Sequence, residues 1–61
     1  MNNTEKVKGL EKLLTEKQEE KRRVIEDFKT KKILSKEASK RLAEINVDIA
    51  RIEKEIKRAG K

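Results

Sequence analysis

The chain has 61 residues, 33% of them hydrophobic and 49% charged, with a net charge of +6. That is enough for one small domain with a thin core, a size at which folds commonly lean on disulfides, metals or association. Cys and His are both absent, so disulfides, thiolate metal sites and histidine-based catalysis are excluded, and association is the expected source of extra stability.

The composition is rich in Glu, Lys, Arg, Leu, Ile and Ala, with no Pro and only Gly9 and Gly60. That mixture suits long helices and coiled coils. No apolar run is long enough to span a bilayer, and Met1 to Thr4 contain no apolar signal core. A cytoplasmic protein without membrane contact is expected. The Asn2-Asn3-Thr4 sequon is read as chance.

A first helix is expected over about residues 4–31. Asn3 or Thr4 caps it, and Glu5 sits near its positive end. Gly9 costs about 1 kcal/mol relative to Ala within its first turns. Val7, Leu10, Leu13 and Leu14 form one apolar cluster, and Val24, Ile25 and Phe28 form a second. Between them Thr15 to Arg23 is a polar waist without an apolar residue. Leu10, Leu14, Val24 and Phe28 are the candidate core of this helix. Glu19–Arg23 and Asp27–Lys31 lie four apart in the favourable order for ion pairs.

A turn is expected at about 32–35, with Ser35 as N-cap of a second helix over about 36–59. Ile33 and Leu34 fall off the apolar seam and are expected to tuck the turn onto the helix ends. In the second helix Ala38, Leu42, Ile45, Ile49, Ile52, Ile56 and Ala59 follow at alternating spacings of four and three. That rhythm places them on one side of a helix and drives that side against another helix. Gly60 suits the C′ position, and Lys57, Arg58 and Lys61 favour the negative end of the helix.

The fold class is therefore all-α: an antiparallel helical hairpin. The alternative is a single continuous coiled-coil helix on the order of 75 Å long, because the heptad phase runs unbroken across the turn. The hairpin is preferred, since it turns the weak layer at Lys31 and Ser35 into a loop. In the hairpin the polar waist falls opposite Ile45 and Ile49, leaving them short of apolar partners. Ala38, Leu42, Ile45, Ile49, Ile52 and Ile56 are accordingly the candidate interface of a homodimer, a four-helix bundle. Ala43, Val47 and Ala50 add a stripe of small residues on the back of the second helix.

The segment KKILSKEASKRLAEI resembles the turn and second helix of small bacterial helical-hairpin domains of the short C-terminal type. Those carry an apolar pair, a Ser or Thr cap and then acidic residues. Lys32 stands where such hairpins often have Gly, and Ser39 where they have an aromatic. The resemblance implies a hairpin and assigns no activity.

Charge is concentrated. Lys29, Lys31, Lys32, Lys36, Lys40 and Arg41 lie within thirteen residues against Glu37 alone, which holds +5 of the net +6. Such a cluster at a hairpin tip attracts an acidic protein surface or a phosphate backbone. With no Tyr or Trp, base stacking on single strands is disfavoured. Ser and Thr have no His or Cys beside them to activate a nucleophile, and the adjacent carboxylates Glu19-Glu20 and Glu26-Asp27 diverge around a helix. No cofactor, metal or catalytic site is expected. The expected function is non-enzymatic: a small protein-binding regulator, adaptor or inhibitor of the sort carried by phages or mobile elements. A nucleic-acid-binding protein and a structural oligomerisation segment are the alternatives.

Overall fold

A computed structural model describes residues 4–60. Two helices, α1 (Thr4–Lys29) and α2 (Ser35–Ala59), pack against each other as a hairpin. The chain is all-α, and the continuous-helix alternative is overturned: the backbone reverses between Lys29 and Ser35. The Cα trace measures 48 × 15 × 9 Å. Its radius of gyration, 14.2 Å, exceeds the roughly 10.5 Å of a compact chain of this length. The molecule is a rod.

The reversal is made without Gly or Pro. Lys31 takes a left-handed backbone conformation, φ 63°. The Lys31 amide donates to the Phe28 carbonyl at 3.1 Å, and the Lys32 amide to the Asp27 carbonyl at 2.8 Å. Together these bonds form a Schellman closure, which satisfies the last carbonyls of α1. The Thr30 hydroxyl adds a bond to the Glu26 carbonyl at 2.9 Å. The first helix thus ends at Lys29, two residues short of the expected end. The Asp27–Lys31 ion pair does not form, because Lys31 has left the helix.

The second helix also starts differently. Ser35 is its first residue, and Leu34 holds the N-cap position with extended backbone (φ −79°, ψ 156°) and no side-chain cap bond. The cap expected at Ser35 is corrected by one residue. At the far end Gly60 keeps right-handed geometry (φ −77°) and its amide bonds the Ile56 carbonyl at 2.9 Å. Gly60 thus stands at the C-cap and not at the expected C′ position. The cap expected at Asn3 and the contribution of Lys61 lie outside the described residues.

The core is a narrow seam. Val24, Ala38 and Ile45 form one buried cluster, and Ile33, Leu42 and Ile49 pack on it half-buried; Ile52 is buried further along. Burying one Val or Ile side chain fully stabilises by about 1.5–3 kcal/mol, the scale on which Val24, Ile45 and Ile52 each contribute. Two expectations fail here. Ile45 is covered within the chain, because it sits on the stripe of α2 that points straight at Val24. Phe28, expected in the core, is 45% exposed, in the last turn of α1 where the chain reverses. Leu10 and Leu14 are half-buried.

The polar waist closes by another route. Lys17 and Lys21 are half-buried, as lysine stems are when they lie along apolar surface with their amines in water. The Lys17 ammonium bridges Asp48 of α2 at 3.3 Å and Glu20 of α1 at 3.4 Å. The Asp48 contact ties the waist to the helix that it was expected to leave bare.

Candidate functional site at the hairpin tip

The tip is built from the end of α1, the loop 30–34 and the start of α2. Lys29, Lys31, Lys32, Lys36 and Lys40 are all exposed, and none has an ion pair among the described residues. Lys29 ends α1, Lys31 is the left-handed residue, Lys32 follows it, and Lys36 is the second residue of α2. Arg41 differs from this set. Its guanidinium Nε donates to Glu37 Oε2 at 3.1 Å, which compensates its charge.

Arg41 also faces elsewhere. It lines an open groove on one flank of the hairpin with Glu20, Arg23, Asp27, Glu44 and Asp48, over a floor of Val24 and Ile45. Four carboxylates against two guanidinium groups make this flank acidic, in contrast to the basic tip. The sequence-based cluster of six cations therefore separates into five free lysines at and near the tip and one compensated arginine on the flank.

The tip also presents apolar surface. Leu34 is 80% exposed and Phe28 45% exposed. Ile33 tucks the turn onto the core as expected, but Leu34 does not. Leu34 holds the N-cap position through its backbone, while its apolar side chain makes no cap bond and stays in solvent. No pattern in the sequence separates it from Ile33, because both fall off the seam. Their fates are decided by the exact residue at which α2 begins.

Two local rules are broken within four residues. A left-handed backbone costs an L-residue about 1–2 kcal/mol, and glycine avoids most of that cost. A Ser, Asp or Asn at an N-cap stabilises a helix by about 1 kcal/mol over an apolar residue. Lys31 and Leu34 give up both gains. What they deliver instead is a cation and an apolar side chain held out in solvent, a combination suited to non-covalent recognition.

Two hydroxyls bond locally. The Thr15 and Thr30 hydroxyls donate to carbonyls of their own helix, Glu11 and Glu26. Among the described residues no group of three or more His, Cys, Asp or Glu side chains is placed to hold a metal ion. No described helix is long and apolar enough to cross a membrane. The candidate interface residues of α2 divide by burial: Ala38, Ile45 and Ile52 lie in the intrachain seam, while Leu42, Ile49 and Ile56 are half-exposed.

The chain matches no family model, and comparison with curated proteins and with solved structures finds no match.

Proposed function

We propose that this chain is a small non-enzymatic binding protein, a regulator, adaptor or inhibitor, that acts as a homodimer and engages an acidic protein surface through its basic tip. One observation carries the reading: Leu34, 80% exposed, stands among lysines that have no ion pair among the described residues. Protein interfaces take their energy from buried apolar anchors, while surrounding charges steer approach and set register. Leu34 supplies the anchor, and Lys29, Lys31, Lys32 and Lys36 supply the steering field. The partner surface is an apolar recess rimmed by Asp or Glu.

Free lysines alone would equally serve a phosphate backbone, so binding to a nucleic acid is the second reading. Leu34 separates the two. An exposed leucine gains nothing on a phosphate backbone, whose binding is driven by counterion release.

The test compares wild type with Leu34→Ser and with a Lys31→Glu/Lys32→Glu variant. Partner capture from the native cell and binding to random-sequence duplex DNA are measured across a salt series. On the protein reading, Leu34→Ser loses the captured partner about as completely as the charge variant does. On the nucleic-acid reading, duplex affinity falls steeply with salt, is abolished by the charge reversals and is unchanged by Leu34→Ser; that pattern would replace the proposal.

A further inference from the structure

Charge on α2 is sorted by side. From Leu42 to Ala50 the only charged residues are Glu44 and Asp48, and both line the acidic groove. Leu42, Ala43, Asn46, Ile49 and Ala50 occupy a different side, with Val47 on the edge between the two. At about 100° per residue, this charge-free side is centred roughly 100° around the helix from the buried stripe of Ala38, Ile45 and Ile52. A helix in a bundle that touches two neighbours offers two such faces. Leu42 and Ile49 are only half-covered, and Val47 is 57% exposed. In a chain with 49% charged residues, nine consecutive helical residues leave one side without a charge, with Asn46 its one polar residue, which suits contact with another helix.

The area left exposed says how much cover is missing. A compact chain of 7.2 kDa exposes about 4,100 Å². This one exposes 5285 Å², an excess of roughly 1,200 Å² over that compact figure. A stable interface takes about 800 Å² from each partner, less than this excess, which is spread along the whole rod.

The small residues of this face and the charges beyond its two ends fit a second copy of the same helix better antiparallel than parallel. We infer that the charge-free side of α2 packs against the same side of a second copy, with the two α2 helices antiparallel; this rests on the homodimer part of the function proposed above. A two-fold axis between Asn46 and Val47 sets Ala43 beside Ala50 of the other copy, where small side chains let the helices approach closely. It also brings Lys40 of each copy level with Glu53 of the other and Lys36 level with Lys57, one opposite and one like pair at each end, where a parallel pairing has like pairs alone. A parallel pairing would instead set Glu53 against Glu53. Isologous contact of this sort closes at two chains. The arrangement also places the two basic tips at opposite ends, with the α2 starts about 35 Å apart along the axis at 1.5 Å per residue. A dimer so built grips two acidic sites at once and gains by avidity what one small tip lacks.

The test uses the full chain. Ala43 and Ala50 are exposed, so an Ala43→Glu/Ala50→Glu variant leaves the intrachain seam untouched, and circular dichroism verifies its helicity. Sedimentation equilibrium is expected to give a dimer for wild type and at least about a tenfold weaker dimer for the variant. A wild type that stays monomeric into the millimolar range overturns both this face and the homodimer reading, and leaves the tip reading standing. A variant that dimerises as tightly as wild type overturns the face alone. Orientation is read from cysteines in a chain that has none of its own. Oxidation is expected to cross-link Asn46→Cys, which lies beside the axis, and to leave Glu53→Cys single. Cross-linking of Glu53→Cys instead overturns the antiparallel arrangement.

Discussion

Lys17 Nζ and Asp48 Oδ2 lie 3.3 Å apart and make the one ion pair between the two helices among the described residues. The Asp48 carboxylate, and after it Glu20, holds the Lys17 ammonium in its charged form and raises its pKa above the ordinary 10.5. A raised lysine pKa means that the folded state binds this proton more tightly than the unfolded state. The contribution is therefore fully present below pH 10.5 and fades as pH rises through the higher folded value. Lys17→Met keeps the apolar stem and removes the charge. The gap in melting temperature between wild type and Lys17→Met should stay constant from neutral pH up to 10.5 and shrink above it. Asp48→Asn should shrink the gap at every pH. A gap that widens in alkali would show that the pair does not tie the helices. Salt should narrow it as well, since both groups are partly exposed.

Ile45 and Phe28 should respond in the opposite order to their size. Ile45 is 5% exposed and packs with Val24 and Ala38, so Ile45→Ala should cost about 2–5 kcal/mol. A domain of this length is stable by only about 3–9 kcal/mol, so much of the hairpin's stability would go. Phe28 is larger but 45% exposed, and Phe28→Ala should cost about 1 kcal/mol or less, near the limit for surface changes. Urea titration followed by circular dichroism gives both figures. Equal losses would mean that Phe28 belongs to the core after all.

The hairpin was legible because the alternating four-and-three spacing from Ala38 to Ala59 has one physical meaning, a helix with a single apolar side that requires a second helix. Which residues of α1 meet it was not legible, because the waist from Thr15 to Arg23 offers no apolar residue to fix the register. Lys17 bridges to Asp48, and Val24 reaches Ile45, through a register that only packing decides. The turn was hard to place for a related reason. It is closed by a lysine in left-handed geometry, and nothing in the string Thr30-Lys31-Lys32 marks which residue turns. At the tip the lysines could be named in advance. The exposure of Leu34 could not, since an N-cap shifted by a single residue separates a packed side chain from a solvated one.

Gly9 offers a stabilising change away from every surface argued above. A Cβ added there meets nothing within 4 Å, and the residue lies inside α1. Gly9→Ala should therefore stabilise by about 0.5–1 kcal/mol, through helix propensity and a less free unfolded chain. For a domain of this size that is a rise of a few degrees in melting temperature. No change in the solution mass or in partner capture should accompany it. A loss of stability would mean that the Gly9 side of α1 is covered in the working assembly.

The tip should show a trade between stability and binding. Lys31→Gly relieves the left-handed strain at φ 63° and should stabilise by about 1 kcal/mol, whereas Lys31→Ala, which keeps a Cβ, should be close to neutral. Leu34→Asp puts an acceptor at the start of α2, where no side-chain cap bond exists, and a negative charge at the positive end of the helix. It should stabilise by about 1 kcal/mol as well. The two act on different helix ends, so the double variant should approach their sum, measured by thermal melting. If the tip is the recognition site, both changes weaken partner capture while they raise the melting temperature, and Leu34→Asp weakens it more because it removes the apolar anchor and adds a charge of the wrong sign. A double variant that is more stable and binds as well as wild type would show that the cation at Lys31 and the exposed Leu34 serve no recognition, and the site would have to be sought along the helices instead.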